Sequence, residues 1–156
     1  MRLRLLIKSY RFSLFCFIGT IFNIVYSCFL IFLIPWAQDC GIEEQRAPFL
    51  LSVMGIGSLV GRVASGFFVT RKTPVEAVFT FSMVLCSVGS LCAQVETYES
   101  FAASACIVGI GTGINKALSV VLLRKIVGLN NVASGIGLVF FFGGIGDLLG
   151  PIFAGK

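Results

Sequence analysis

Five long apolar segments, each about as long as a helix that crosses a membrane, dominate this sequence. A membrane-spanning helix needs about 20 mainly apolar residues. Inside a bilayer the backbone polar groups have no water to bond to, so each segment is expected to be helical. The sequence therefore predicts an all-α, polytopic membrane helix bundle with five transmembrane helices, at residues 12–35, 48–70, 75–95, 100–123 and 133–155.

The composition supports a membrane location and argues against a nucleic-acid partner. Apolar residues make up 57% of the chain and charged residues 12%, whereas about a quarter of a soluble domain is charged. The mean hydropathy is +1.00. The net charge of +5 does not form one basic patch, because the basic residues lie in short groups between the apolar segments. We therefore expect a lipid bilayer, and no nucleic acid, as a partner.

The distribution of lysine and arginine predicts the orientation of the five helices. Basic residues are enriched in the cytoplasmic connections of membrane proteins. If the helices alternate in direction, one side of the membrane carries eight basic residues, which are Arg2, Arg4, Lys8, Arg11, Arg71, Lys72, Arg124 and Lys125. The other side carries only Arg46 and Lys156. This predicts a cytoplasmic N-terminal segment at residues 1–11, and we expect a multi-pass protein of the plasma membrane.

Glycines recur at a spacing that is typical of helix contacts in membranes. Pairs of small residues four apart allow two helix backbones to approach closely. Three pairs have this spacing, which are Gly57 and Gly61, Gly109 and Gly113, and Gly146 and Gly150. Close packing is the favoured interpretation, and the alternative is that these glycines allow a helix to bend during transport.

The residues for metal or enzyme chemistry are missing from the sequence. There is no histidine, which is the commonest general base and metal ligand. Five of the six cysteines lie in apolar segments, and only Cys40 lies in a polar connection. The sequence contains no HExxH motif and no paired carboxylates within the apolar segments. We therefore predict no enzyme activity, no metal site and no cofactor.

Three ionisable residues lie in the interior of the apolar segments, away from their ends, namely Arg62, Lys116 and Asp147. A charge near the middle of a membrane helix costs at least about 2.5–3.5 kcal/mol, and such residues usually face the bundle interior or a water-filled cavity. From the predicted bounds, Arg62 and Lys116 lie roughly 11–12 Å from the cytoplasmic helix ends and Asp147 about 21 Å. Each of them is therefore a candidate site residue.

Each of the three charged residues has a structural alternative to a role in a substrate site. Lys116 is either a site residue or a side chain that extends its amine to the headgroups. Asp147 is either a site residue or a structural partner of one of the cations. For Arg62 a cavity that receives an anion is favoured over a buried structural pair, because its planar fork suits a carboxylate. Ser58 lies one turn earlier on the same face of the helix, so it is included in the predicted substrate site.

Two stretches carry a resemblance to a known family. The stretch PWAQDCGIEEQRAPFLLSVMGIGSLVGRVASGFF at 35–68 resembles the monocarboxylate transporter family of the major facilitator superfamily. It is similar to that family's seventh helix end, the outer loop and the eighth helix with its substrate-site arginine. The stretch KIVGLNNVASGIGLVFFFGGIGDLLGPIFAG at 125–155 resembles the family's eleventh helix and the loop before it. The similarity covers roughly residues 12–155.

This resemblance implies a transporter domain at residues 12–156, with helices seven to eleven of a C-terminal half. Arg62 corresponds to the family arginine that binds the substrate carboxylate. The family's proton-linked members have an aspartate at the position of Ser58, so the resemblance does not extend proton coupling to this pair. Lys125 replaces the aspartate of the family's D-L-V-G sequence, and Thr70 replaces the aspartate of the superfamily's loop signature.

The resemblance implies transport of small organic anions, with monocarboxylates as the expected substrates, by alternating access in a twelve-helix protein. Symport with an ion is part of this expectation. We expect the chain to be an incomplete fragment or a truncated gene product that does not transport alone. Its expected partners are the missing transporter half or an accessory membrane subunit. The alternative is a non-transporting five-helix scaffold or regulatory membrane protein.

The charge distribution makes the topology testable. In a cysteine-free background on intact cells, a cysteine introduced near Glu43 should react with a membrane-impermeant maleimide, and one near Lys72 should be protected. The measurement is the labelled fraction before and after permeabilisation. Labelling of both positions from outside would contradict the five-span orientation.

Overall fold

The computed structural model describes residues 10–42, 46–69, 74–95, 97–128 and 131–154. Within these ranges the chain has no strand and forms five α-helices, and a short 3-10 turn, Ala93–Val95, follows the third of them. All five helices are long and apolar enough to cross a membrane, which confirms the predicted fold class. The helices are α1 (Tyr10–Asp39), α2 (Ala47–Phe68), α3 (Val75–Cys92), α4 (Tyr98–Val127) and α5 (Val132–Ala154).

Two helices are longer than the apolar segments that predicted them. Helices α1 and α4 contain 30 residues each, which corresponds to about 45 Å at the rise of an α-helix. The hydrocarbon core of a bilayer is about 30 Å thick. The additional turns are polar, with Gln38 and Asp39 ending α1 and Arg124 and Lys125 in the last turn of α4. Hydropathy does not detect such turns, because they continue the helix beyond the hydrocarbon core.

The prolines mark helix starts in two cases and lie inside helices in two others. Pro48 lies in the first turn of α2, and Pro74 immediately precedes α3. A proline at these positions removes an amide hydrogen that has no partner within the helix. Pro35, which the sequence analysis placed at a segment edge, lies inside α1, and Pro151 lies inside α5. Membrane helices tolerate internal prolines because neighbouring groups bond to the freed carbonyl.

The chain forms two compact units. Residues 32–119 form the first, which we call the Arg62 unit, and it contains the end of α1, all of α2 and α3, and most of α4. The other, which we call the Asp147 unit, comprises residues 10–31 and 120–154 among the described part of the chain.

Within the Arg62 unit, α2 and α4 are in direct backbone contact. A Cβ atom added at Gly57 would lie 2.8 Å from the carbonyl oxygen of Cys106, and one added at Gly61 would overlap the carbonyl oxygen of Ile110. The missing side chains therefore allow a closer approach than any other residue type would permit.

The glycines of α4 make the reciprocal contacts. A Cβ atom at Gly109 would overlap the carbonyl oxygen of Met54, and one at Gly113 would overlap that of Ser58. Residue numbers rise together along both helices in these contacts, so α2 and α4 run parallel. Parallel helices are required if the connection through α3 crosses the membrane once.

Helix α3 packs on another face of α4. Gly111 allows the Sγ atom of Cys86 to approach, since an added Cβ atom would lie 2.5 Å from it. The amide of Asn115 donates a hydrogen bond of 3.4 Å to the hydroxyl of Ser82, and both side chains are buried. Because α2 and α3 cover different faces, α4 is the central helix of the Arg62 unit.

Within the Asp147 unit, α1 and α5 also meet through glycines. A Cβ atom at Gly146 would lie 2.8 Å from the carbonyl oxygen of Thr20, and one at Gly150 would lie 2.9 Å from that of Ile24. The contacts again rise together in number, so α1 and α5 run parallel. All three predicted glycine pairs thus lie at helix contacts in the structure.

Most charges that predicted the orientation lie outside the described residues. Arg11, Arg46, Arg124 and Lys125 lie in the described part of the chain and are exposed. Those outside it are Arg2, Arg4, Lys8, Glu43, Glu44, Arg71, Lys72, Glu96 and Lys156, together with Thr70 of the loop signature.

The packing of α2 yields a matched pair of substitutions. Gly61→Ala inserts a methyl group into the carbonyl of Ile110 and should lower the stability by about 1–3 kcal/mol, as overpacking does. Gly66→Ala, on the same helix, meets nothing within 4 Å and should be neutral or gain up to about 1 kcal/mol in helix propensity. Denaturant unfolding in detergent micelles measures both. Equal stabilities for the two variants would contradict the packing described here.

Candidate functional site

Arg62 lies in α2, six residues before the helix ends at Phe68, which is about 9 Å along its axis. The side chain is exposed, and among the residues that the structure describes its guanidinium forms no ion pair and no hydrogen bond. Its backbone carbonyl accepts a hydrogen bond of 2.7 Å from the hydroxyl of Ser65. A guanidinium remains charged at all physiological pH values and has five N–H donors. An apolar helix thus carries a permanent cation whose donors are available to an anion.

Ser58 lies one turn before Arg62 on the same face of α2. Ser58 is half-buried, and its carbonyl oxygen packs against Gly113 of α4. This backbone contact fixes the position of the turn from which Arg62 extends.

Lys116 lies in α4 and is exposed. It stands eleven residues before the helix ends at Val127, which is about 16 Å along the axis. The sequence analysis ended this helix with the apolar segment at residue 123, and the additional turn, with Arg124 and Lys125, continues beyond the hydrocarbon core. The depth of Lys116 in the hydrocarbon core is therefore unchanged, and a stem that extends its amine to the headgroups is still the alternative interpretation.

The contacts between α2 and α4 place Arg62 and Lys116 at similar levels along the helix axes. The partners differ by 55 in residue number where Ser58 packs on Gly113, and by 49 where Gly61 packs on Ile110. The mean difference of 52 pairs Arg62 with Ile114, two residues before Lys116. The two cations therefore lie about two residue rises apart, roughly 3 Å along the helix axes.

Asp147 lies in α5 and belongs to the other unit. The hydroxyl of Ser27 in α1 donates a hydrogen bond of 2.7 Å to its Oδ1 atom. Gly146 and Gly150 flank the aspartate at the contact with α1, so its side chain emerges beside a seam of closely packed backbones. The structure thus gives Asp147 a neutral hydroxyl partner from a neighbouring helix.

Sequence analysis did not identify Ser27. It belongs to a row of three polar side chains on α1, at Thr20, Asn23 and Ser27, whose spacing of three and four residues keeps them on one face. The row faces α5, since the amide nitrogen of Asn23 would lie 3.0 Å from a Cβ atom added at Gly143. Polar residues at helical spacing in an apolar segment are the signal that indicates this face.

The structure therefore brings three of the four predicted site residues together. Ser58, Arg62 and Lys116 lie on adjacent helices of the Arg62 unit, whereas Asp147 and its partner Ser27 lie in the other unit. The Arg62 unit thus contains N–H donors that can bind an anion. The Asp147 unit contains a carboxylate that accepts a hydrogen bond from a hydroxyl.

Membrane-spanning helices with charges within their spans are typical of membrane transport proteins, in which such charges mark the path of a substrate or ion. Residues 15–156 match the model of the Major Facilitator Superfamily, and the chain belongs to this family of transporters and not to an enzyme family.

Curated relatives with similar sequences are named as monocarboxylate transporters. The chain is 34% identical to monocarboxylate transporter 2 of Homo sapiens over 131 residues, which cover 81% of this chain and 27% of that protein. It is 32% identical to monocarboxylate transporter 3 of Gallus gallus over 130 residues, with 81% and 24% covered. Identity to monocarboxylate transporter 12 of Mus musculus is 27% over 136 residues, with 83% and 28% covered. The chain thus spans about a quarter of the length of the relatives it matches. No solved structure matches this chain.

The Ser27–Asp147 hydrogen bond can be tested with a double-mutant cycle. Ser27→Ala and Asp147→Ala each remove one partner, so their combined effect on the free energy of unfolding should be smaller than the sum. The coupling energy should be about 0.6 kcal/mol and at most about 1.7 kcal/mol, the mean and the maximum found in double-mutant cycles of hydrogen bonds between membrane helices.

A cycle of Ser13→Ala with Asp147→Ala provides the control, since Ser13 is an exposed serine on the same helix. This control cycle should give no coupling in the same unfolding experiment. Equal coupling in both cycles would show that Ser27 and Asp147 do not interact.

Proposed function

We propose that this chain forms part of a transporter that carries small organic anions, with monocarboxylates as the substrate class. The observation that supports this proposal is Arg62, a permanent cation within a membrane-spanning helix that is exposed and has no ion pair among the described residues. The names of the relatives agree with this substrate class.

Arg62 is the proposed anchor for the substrate carboxylate. A guanidinium forms two parallel N–H···O bonds with a carboxylate, which fixes the orientation of the anion as well as its position. Ser58, one turn earlier on α2, adds a hydroxyl that can donate to the same anion. In a poorly hydrated site such charge-assisted bonds are strong, so the anchor contributes much of the binding free energy.

Transport by this site requires access from both sides of the membrane in turn. We propose that the chain acts within a twelve-helix protein, whose other half is its partner, and that one half rocks against the other around the site. An accessory membrane subunit is a further proposed partner. The plasma membrane and a cytoplasmic N-terminus are the proposed location and orientation.

Ion coupling is the remaining part of the proposal. Ser58 cannot ionise near neutral pH, so a proton carried with the substrate needs another carboxylate. Asp147 is the proposed group, since it lies in the interior of α5, whereas Glu76 and Glu99 lie in the first turns of α3 and α4, and its carboxylate accepts a hydrogen bond from a neutral hydroxyl. Symport with a proton then depends on Asp147 and not on a residue beside Arg62.

Substitution of Arg62 tests the anchor in the full-length transporter that contains this segment. Arg62→Ala should abolish uptake of labelled butyrate, because loss of a charge-assisted partner in such a site costs on the order of 2–5 kcal/mol. Arg62→Lys should not restore uptake, since an ammonium cannot reproduce the two-pronged contact. Uptake is measured together with the amount of protein at the cell surface.

Arg124→Ala provides the matched control, because it removes one positive charge from an exposed position at the end of α4. It should retain butyrate uptake. Normal uptake by Arg62→Ala at normal surface expression would mean that Arg62 is structural and that the anchor lies elsewhere.

A further inference from the structure

We infer that a water-filled path for protons runs along α1 from its N-terminal end to Asp147. This inference rests on the proposed function, in which Asp147 binds the proton that is carried with the substrate. The path gives this proton a route between Asp147 and the proposed cytoplasmic side.

The polar side chains in the membrane-spanning part of α1 form one row along the helix. Between residues 13 and 27, every serine, threonine and asparagine lies on the same face, because successive members are three, four or seven residues apart. A cysteine lies within the gap of seven residues. A helix with one polar face can line water inside a protein, whereas scattered polar groups would face lipid. We call this row the polar face, and its members are Ser13, Cys16, Thr20, Asn23 and Ser27.

A cavity of about 280 Å³ lies along the N-terminal half of the polar face. It follows α1 from Phe12 to Thr20, which is eight residue rises or about 12 Å, and it begins two residues after the helix starts. The cavity therefore extends from the first turn of α1 into the membrane-spanning part of the helix. Its lining consists of Phe12, Ser13, Cys16, Phe17 and Thr20 of α1 and Phe142 of α5.

This cavity has the room and the polar groups that water needs. A water molecule occupies about 30 Å³ in the liquid and needs two to four polar partners, whereas purely apolar cavities stay dry. The hydroxyl of Ser13 is one such partner, since this residue is exposed. The hydroxyl of Thr20 donates a hydrogen bond of 2.9 Å to the carbonyl oxygen of Cys16, so its oxygen can accept one from water. Several water molecules can thus form a hydrogen-bonded chain along this half of the polar face.

Two residues continue the polar face from the cavity to the carboxylate. Asn23 follows Thr20 by three residues, and Ser27 follows Asn23 by four, so each step is about 4.5–6 Å along the helix. A single water molecule that forms two hydrogen bonds spans such a step. The hydroxyl of Ser27 donates a hydrogen bond of 2.7 Å to the Oδ1 atom of Asp147. The polar face thus ends at the proposed proton site.

Water is the acceptor when Asp147 releases its proton along this path. The O–H bond of the protonated carboxyl breaks, its electron pair stays on the carboxylate, and the proton forms a hydronium ion with a water of the path. The carboxylate then accepts the hydrogen bond from Ser27, while the proton passes from water to water to the N-terminal end of α1. Among the described residues of the Asp147 unit, Asp147 is the one carboxylate, so no second carboxylate traps the proton on the way.

Reaction with a thiol reagent tests whether water enters the cavity. In the full-length transporter that contains this segment, the native cysteines are replaced, and Thr20→Cys places one thiol in the cavity. A membrane-impermeant methanethiosulfonate is applied from the proposed cytoplasmic side. Thr20→Cys should react at least tenfold faster than Ile18→Cys, whose thiol lies two residues earlier on the opposite, exposed face of α1. Equal rates at the two positions would overturn the inference.

Two modes of transport separate the path from the substrate site. In proteoliposomes, net uptake of labelled glycolate driven by a pH gradient requires Asp147 to release its proton, whereas exchange of labelled for unlabelled glycolate does not. Glycolate is the probe because its hydroxyl group slows passive passage of this monocarboxylate through lipid. Thr20→Val keeps the shape of the side chain and removes the hydroxyl, so it should lower net uptake at least fivefold and leave exchange within about twofold. Thr20→Ser, which keeps the hydroxyl, should retain both modes.

Thr80→Val provides the matched control. Thr80 of α3 also donates a hydrogen bond to the carbonyl oxygen four residues earlier, at 3.0 Å, but it lies outside the Asp147 unit. Its substitution should change neither mode. Loss of both modes in Thr20→Val, or of neither, would show that the Thr20 hydroxyl is not part of a proton path.

Asp147→Asn distinguishes failure of the path from failure of the proposed function. If this variant still shows net uptake driven by a pH gradient, the proposed coupling role of Asp147 fails, and the path fails with it. If it loses net uptake while Thr20→Val keeps it, the path is wrong and the proposed role of Asp147 stands.

Discussion

Direct contact between helix backbones is the interaction on which this structure depends. The apolar side chains of a membrane helix gain little by leaving lipid for a neighbouring helix, so dispersion contacts and hydrogen bonds hold the bundle together. Glycine allows these contacts where α2 meets α4 and where α1 meets α5. At Gly61 and Gly113 even one methyl group would collide with a carbonyl oxygen, so these positions fix the separation and the register of the helices together.

The register of the helices determines which charges become neighbours. Arg62 and Lys116 are 54 positions apart in the sequence and lie on different helices, yet the contacts between α2 and α4 place them at similar levels along the helix axes. A shift of one helical turn between α2 and α4 would change their separation along the axis by about 5.4 Å. The glycine contacts therefore serve both stability and the geometry of the candidate site.

Sequence reasoning predicted the class of fold well and the neighbours of each charge poorly. Five apolar segments indicate five spans because length and hydropathy are properties of each segment alone. The end of α4 was placed at residue 123 and not at Val127, because the helix continues through the polar residues Arg124 and Lys125 beyond the hydrocarbon core. Ser27 was missed because a hydroxyl is inexpensive in a membrane helix, and only its contact with Asp147 across the α1–α5 interface shows its role.

The glycine signal and the charge signal in this sequence are not independent. Each of the three candidate site charges lies beside a glycine pair: Arg62 directly follows Gly61, Lys116 follows Gly113 by three residues, and Asp147 lies between Gly146 and Gly150. A charge next to such a seam extends from a backbone that is held on one side by a neighbouring helix, so its position is better defined than on a helix that contacts only lipid. The seam also exposes polar groups of the partner helix, such as the hydroxyl of Ser27, to the edge from which the charge extends. Because α2 and α4 are joined through their backbones, the glycine contacts hold Arg62 and Lys116 at a fixed separation along the helix axes. The proposed anion site requires such constancy, since it would have to bind the same anion from either side of the membrane.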